Sequence, residues 1–155
     1  MDQAPPPSPV TVACLFEEAQ RQALDPRLLL AIKITEAGRV GLAYSNTNGS
    51  EDLGPFQINT IWLPHVSKHL QQTPQMTRYL LATNGCLNAS VAAWILRQAI
   101  NDAGGNVWKG VAFYHSRNPQ FGHPYAWRVH RNLTKVDSTP AATIVHASFT
   151  QVRSR

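Results

Sequence analysis

Leu28-Leu29-Leu30-Ala31-Ile32-Lys33-Ile34-Thr35-Glu36-Ala37-Gly38 is the stretch whose reading decides the fold. Asp25-Pro26 precedes it: a side-chain acceptor suited to an N-cap, then a proline whose missing N–H is no loss in a first helical turn. Leu28 to Ile32 together with Ile34 make the helix apolar nearly all round, which predicts a central, buried element. Gly38 and Gly41 stop it. A glutamate therefore stands at the carboxyl end of a buried helix. Partial burial and the negative end of the helix dipole both disfavour its carboxylate, so both raise the Glu36 pKa toward the range of a general acid. A structural glutamate bonded to nearby backbone or to Arg39 is the other reading of the same position.

Working outward, Val12, Leu15, Phe16, Ala19 and Ala23 fall at helical spacing and predict an amphipathic first helix. Four of the eleven prolines lie in residues 1–10, which read as a segment apart from a domain over 11–136. Between Ala43 and Phe56, turn formers dominate and Asn48-Gly49 is a strong hairpin signal, so a small hairpin or compact loop is expected. Helical periodicity returns over Ile58 to Leu70, Pro74 to Leu81, Ala89 to Ala103, Trp108 to Tyr114 and Tyr125 to Val136. Residues 137–155 read as a tail, loose or adding a strand.

The composition bounds the function. The chain has 155 residues, 43% hydrophobic and 15% charged, which is one ordinary globular domain with a real core. No apolar run approaches the roughly 18 residues of a membrane span. Fourteen Lys and Arg against nine Asp and Glu give a formal charge of +5, which suits a polyanionic partner without naming it. A nucleic-acid binder ranks low, because there is no basic helix, zinc spacing or aromatic ladder. Cys14 and Cys86 allow one disulfide or two free thiols, and no Cys/His cluster has metal spacing. His65 and His69 are four apart but lack a third ligand, so neither a metal nor a cofactor is expected.

The segment Asn46-Thr47-Asn48-Gly49-Ser50-Glu51-Asp52-Leu53-Gly54-Pro55-Phe56-Gln57-Ile58-Asn59, with Trp62 soon after, resembles the signature of the lysozyme-like superfamily: a glutamate, a polar loop, then Gly-x-x-Gln-Ile-Asn. Leu28 to Gly38 is similar to the catalytic helix of its lytic transglycosylases (SLT domain), in particular those of type IV secretion and conjugation. Cys86-Leu87-Asn88 resembles their Cys-x-Asn helix start, and Phe113-Tyr114-His115-Ser116 their late motif. The resemblance covers residues 12–130. It implies a mainly α, lysozyme-like α+β fold with a buried catalytic helix and a small hairpin bordering a glycan groove.

The resemblance also implies site residues. Glu36 is the single acid/base; Gln57 and Asn59 line the groove; Tyr114 hydrogen-bonds and orients the Glu36 carboxyl. Ser45, Asn46, Asp52 and His115 border the substrate. Cys14 and Cys86 fall where relatives carry a cysteine pair, which implies a disulfide in an oxidising periplasm. Ala37 departs from the family's serine after the glutamate, and Pro55 stiffens the loop. The implied partner is the peptidoglycan glycan strand, cut by a monomer and locally opened for secretion or conjugation machinery.

Asp52 carries the main alternative. As a second carboxylate it would make the protein a lysozyme-type hydrolase; as a loop residue it caps a turn or lines the groove. The latter is preferred because the Cys-x-Asn and Tyr-His-Ser motifs fit the transglycosylases. A non-catalytic glycan-binding module is a further alternative, but it would be expected to lack the acid. Of the four tryptophans, Trp94 and Trp108 read as core and Trp62 as a groove residue.

Overall fold

The computed structural model describes residues 3–138. Within them lie helices α1 (Val12–Arg21), α2 (Pro26–Glu36), α3 (Leu63–Leu70), α4 (Pro74–Thr83), α5 (Gly85–Asp102), α6 (Val107–His115) and α7 (Pro119–Asp137). Strands β1 (Ala43–Ser45), β2 (Glu51–Leu53) and β3 (Ile58–Asn59) form one antiparallel sheet in chain order. The architecture is mainly helical with a small sheet, as the resemblance implies.

Helix α2 starts as its sequence requires. The Asp25 carboxylate accepts the Arg27 N–H at 2.9 Å and Pro26 occupies the first turn. Leu28 through Lys33 are all buried, so the helix has no solvent face over that span. It packs most extensively against α7, which offers Tyr125, Val129 and Val136 from one stripe. The helix ends at Ala37, whose φ of +54° lies in the left-handed region, with its N–H bonded to the Lys33 carbonyl. Helix α5 is capped by Asn84, which accepts the Leu87 N–H, and buries Ala89, Ala92, Ala93 and Leu96.

The hairpin forms around Asn48-Gly49. Gly49 takes φ +84°, the Asn46 N–H bonds the Ser50 carbonyl, and Tyr44 pairs with Asp52. From β2 the chain passes through Gly54-Pro55-Phe56, all buried, before β3. This loop is pinned by Asn88, a fully buried side chain of α5. Its amide donates to the carbonyls of Leu53 and Leu81, both at 2.8 Å, and its oxygen accepts the Phe56 N–H at 2.8 Å. The pin requires glycine at position 54: a Cβ there would stand 2.5 Å from the Asn88 amide nitrogen, and φ is +69°.

Several expectations are corrected. Ile58-Asn59 is strand, not helix, because both residues pair with Leu53 and Asp52; helix resumes after a 3-10 turn at Thr60–Trp62. Helix α5 begins at Gly85 and α7 at Pro119, well before the apolar periodicity shows, because Asn84 and Asn118 cap them. Pro124 lies inside α7. Phe16 is 49% exposed, and Trp108 is surface rather than core. The proline-rich start is not apart from the domain. Ser8 bridges to Asn84, the Tyr79 hydroxyl donates to the Pro5 carbonyl, and Val10 is buried in the core. Cys14 and Cys86 are joined in a disulfide that ties α1 to α5, with Cα atoms 5.7 Å apart. The tail expected over 137–155 lies outside the described residues, apart from Asp137 and Ser138 at the end of α7.

Two changes test this framework. Asn88→Ala strands one backbone donor and two carbonyls in the core and lowers the unfolding free energy by about 3 kcal/mol in urea titrations. Reduction of the Cys14–Cys86 bond, or the paired change to serine, lowers it by about 2–4 kcal/mol, read as a shift of the urea midpoint relative to the oxidised protein.

Candidate active site

Glu36 is the last residue of α2, half-buried, where the end of the helix meets the loop after β2. The contact is close because Gly38 has no side chain: a Cβ there would lie 2.1 Å from the Gly54 carbonyl oxygen and 2.9 Å from the Gln57 amide nitrogen. The Glu36 Oε1 accepts a hydrogen bond from the Tyr125 hydroxyl at 2.7 Å. Burial pushes the Glu36 pKa up to about 7; the Tyr125 bond and the Arg128 charge pull the other way, and the Asp52 charge adds to the rise. The carboxyl is therefore divided between protonated and ionised forms near neutral pH, as a group that must first donate and then accept a proton requires.

The orienting residue is Tyr125, not Tyr114. The Tyr114 hydroxyl donates to the Phe56 carbonyl at 3.3 Å, and its ring stacks on Tyr125 with centroids 6.3 Å apart. Tyr114 thus supports the loop and the ring that holds Glu36, and its contact with the acid is electrostatic. A sequence signal for Tyr125 existed. It shares a helical stripe with Val129 and Val136, and a tyrosine buried on such a stripe needs a partner for its hydroxyl. Burial raises its pKa well above the ordinary phenol value, so the hydroxyl stays a donor. His115 also stacks on this ring, at 4.6 Å and 6°.

The remaining expected residues fall along the sheet. Asp52 sits in the middle strand and is not a turn cap; its carboxylate accepts from the Asn59 amide at 2.9 Å and bears electrostatically on Glu36, Tyr114 and His115. Asn59 also donates to Ser50 Oγ at 3.0 Å, as does Asn46 at 3.1 Å, so Asn46, Ser50, Asp52 and Asn59 form one polar network across the sheet. The Asn59 oxygen caps the following 3-10 turn through the Ile61 N–H. Gln57 stands at φ +52°, and its amide donates to the Gly54 carbonyl at 2.9 Å. Ser45 is exposed in β1, opposite Glu51. Trp62 packs edge-on against Trp94, which also stacks on His65, and so joins an aromatic cluster on the core. The arrangement presents one protonatable carboxyl on a fixed tyrosine, beside a half-buried wall of amides and one aspartate.

Comparison with family models finds the transglycosylase SLT domain over residues 13–120. Comparison with curated proteins finds no match. The matched span runs from the first turn of α1 to the start of α7, and it contains Glu36, the pinned loop and Tyr114. The chain therefore belongs to the transglycosylase SLT domain family, whose lysozyme-like domains carry lytic-transglycosylase-type activity on peptidoglycan.

Proposed function

We propose that the protein is a lytic transglycosylase that cuts the β-1,4 bond between N-acetylmuramic acid and N-acetylglucosamine and leaves a 1,6-anhydro end. The observation that carries the reading is the single carboxyl with a pKa of about 7 held by Tyr125. Protonated Glu36 delivers its proton to the leaving O4 of N-acetylglucosamine as the C1–O4 bond breaks and oxocarbenium character develops. The resulting carboxylate then accepts the proton of the muramyl 6-hydroxyl as that oxygen bonds to C1. Glu36 ends protonated and no water is consumed. Burial serves the first step and the tyrosine hydrogen bond the second. Asn46, Gln57 and Asn59 line the groove beside the reacting sugar.

Asp52 is the basis of the second reading, a hydrolase in which it is nucleophile or base for water. Its bond to Asn59 and its place in the polar network favour a role in shaping the groove and holding Glu36 protonated. The Cys-x-Asn and Tyr-His-Ser motifs support the secretion- or conjugation-associated branch of the family, in which such cuts open the wall for an envelope-spanning apparatus. A disulfide together with a wall substrate supports a periplasmic setting.

Product masses, variant rates and pH profiles test this. Products of purified peptidoglycan should be anhydro-muropeptides by mass, and products heavier by one water would establish the hydrolase instead. Glu36→Gln should abolish cleavage while Asp52→Asn retains the anhydro product. The activity of the wild type should fall as pH rises through about 7, because the acid is then ionised. Tyr125→Phe should lower the rate roughly 10- to 100-fold, as loss of a hydrogen bond to a charged group does, and move that basic limb upward because the carboxylate loses a donor. The same raised pKa has a stability consequence. A folded value above the unfolded one stabilises fully below the unfolded carboxyl pKa and no longer once pH has passed the folded value. Glu36→Gln should therefore gain stability relative to wild type at pH 8 over pH 4, by up to about 3 kcal/mol in urea titrations.

A further inference from the structure

The face of α6 and α7 turned away from Glu36 carries a cleft of about 660 Å³ with no counterpart in the chemistry above. On α7 it is lined by Pro119, His123, Trp127 and His130, one helical stripe opposite the Tyr125-Val129-Val136 stripe that meets α2. On α6 it is lined by Trp108, Lys109 and Phe113 among others, on the side opposite Tyr114. Its volume lies within the roughly 300–1,000 Å³ of small-ligand sites.

Its chemistry is specific. Trp127 is 67% exposed and Trp108 37%, and His130 stands edge-on to both, with centroids 5.8 and 5.3 Å away. Two indoles, one from each helix, thus meet one imidazole. In the same lining, Lys109 and Arg117 lie over the Phe113 ring, at 5.7 and 4.9 Å from its centroid, with Arg117 also bonded to Asp102. Among the described residues no acidic side chain lines the cleft. Between Asp102 and Asp137 the chain has five Lys and Arg and no Asp or Glu, and two of the five, Lys109 and Arg117, line the cleft. An occupant that matches this surface has flat apolar faces for the indoles and carboxylates for the cations.

We propose that the α6–α7 cleft is a second, non-catalytic glycan site that binds the carboxylate-bearing aminosugar chain of peptidoglycan. Pyranose C–H faces stack on Trp108 and Trp127, and lactyl or stem-peptide carboxylates reach Lys109 and Arg117. The site rests on the reading of the protein as a peptidoglycan enzyme. It keeps the enzyme on the wall between cuts made on the opposite face.

The test uses the full chain. In a Glu36→Gln background, which removes cleavage, co-sedimentation with purified sacculi is compared with and without Trp127→Ala or Lys109→Gln, with circular dichroism confirming the fold. Each change should weaken retention about tenfold, and amidation of the stem carboxylates should weaken it similarly. In the Glu36-containing chain, Trp127→Ala should leave the rate on a short soluble muramyl oligosaccharide within about twofold of wild type. Unchanged retention of Trp127→Ala, or retention insensitive to amidation, overturns the site. So does a concentration-dependent dimer by light scattering that Trp127→Ala dissolves, which would assign the cleft to a second copy. Absence of cleavage by the wild type would fail the proposed activity, whereas the sedimentation comparison would still decide the cleft.

Discussion

The Asn88 carboxamide is the contact on which the rest of the site depends. It is fully buried, and its three bonds join the loop after β2, the end of β2 and the end of α4 to the middle of the molecule. Inside a low-dielectric core, each unsatisfied partner costs about 1–3 kcal/mol, so the loop has one arrangement that satisfies them together. The Phe56 peptide unit shows the consequence. Asn88 accepts from its N–H, Tyr114 donates to its C=O, and its ring is fully buried. With Phe56 fixed, Gln57 is forced to positive φ and the loop backbone meets Gly38 at the end of α2. The distance between the Glu36 carboxyl and the sheet is thereby set by backbone against backbone, which does not adjust through rotamers.

That rigidity explains how one carboxyl can be held with opposing tendencies. Burial raises the Glu36 pKa more than the Tyr125 hydrogen bond lowers it, and the balance lies near neutrality. Without the tyrosine the pKa would stand higher still; without burial the carboxyl would be ionised at neutral pH. Tyr125 can impose this geometry because its own ring is held by contacts with Tyr114, His115 and Arg128. Tyr114, implied by the resemblance to touch the acid, works one step back from it.

Much of this was legible in the residues because the signals were local. Asp25-Pro26 and an unbroken apolar run state where α2 begins and that it is buried, and Asn48-Gly49 states the hairpin. Glu36 was identifiable as a perturbed acid from its place on the helix alone. What was hidden depends on pairings distant in the chain. Ile58-Asn59 looks helical until β2 is available to pair with it, and Tyr125 gains meaning only once α7 lies on α2, 89 residues from its partner. The proline-rich start looks detached because no local pattern shows that Ser8 will bridge to Asn84. Trp108 was misplaced for a related reason. Its neighbours Val107, Val111 and Ala112 are apolar, but α6 turns Val111 and Ala112 inward and leaves Val107 and Trp108 outside.

The charge of the chain illustrates why position outweighs composition. A total of +5 is weak evidence about a partner when spread over a surface. Here the formal excess lies between Asp102 and Asp137, in α6, α7 and the turn between them, while the rest of the chain, with nine Lys and Arg and nine Asp and Glu, is neutral. Two of those acids, Glu36 and Asp52, act on each other, and the Asp52 charge raises the Glu36 pKa. A cation near Glu36 has the opposite effect, as Arg128 shows. An enzyme that must attract an anionic polymer and yet keep its acid protonated is therefore constrained to hold most of its positive charge away from the acid. Lys109 and Arg117, which line the cleft on the far side of α6 and α7, are placed in that way.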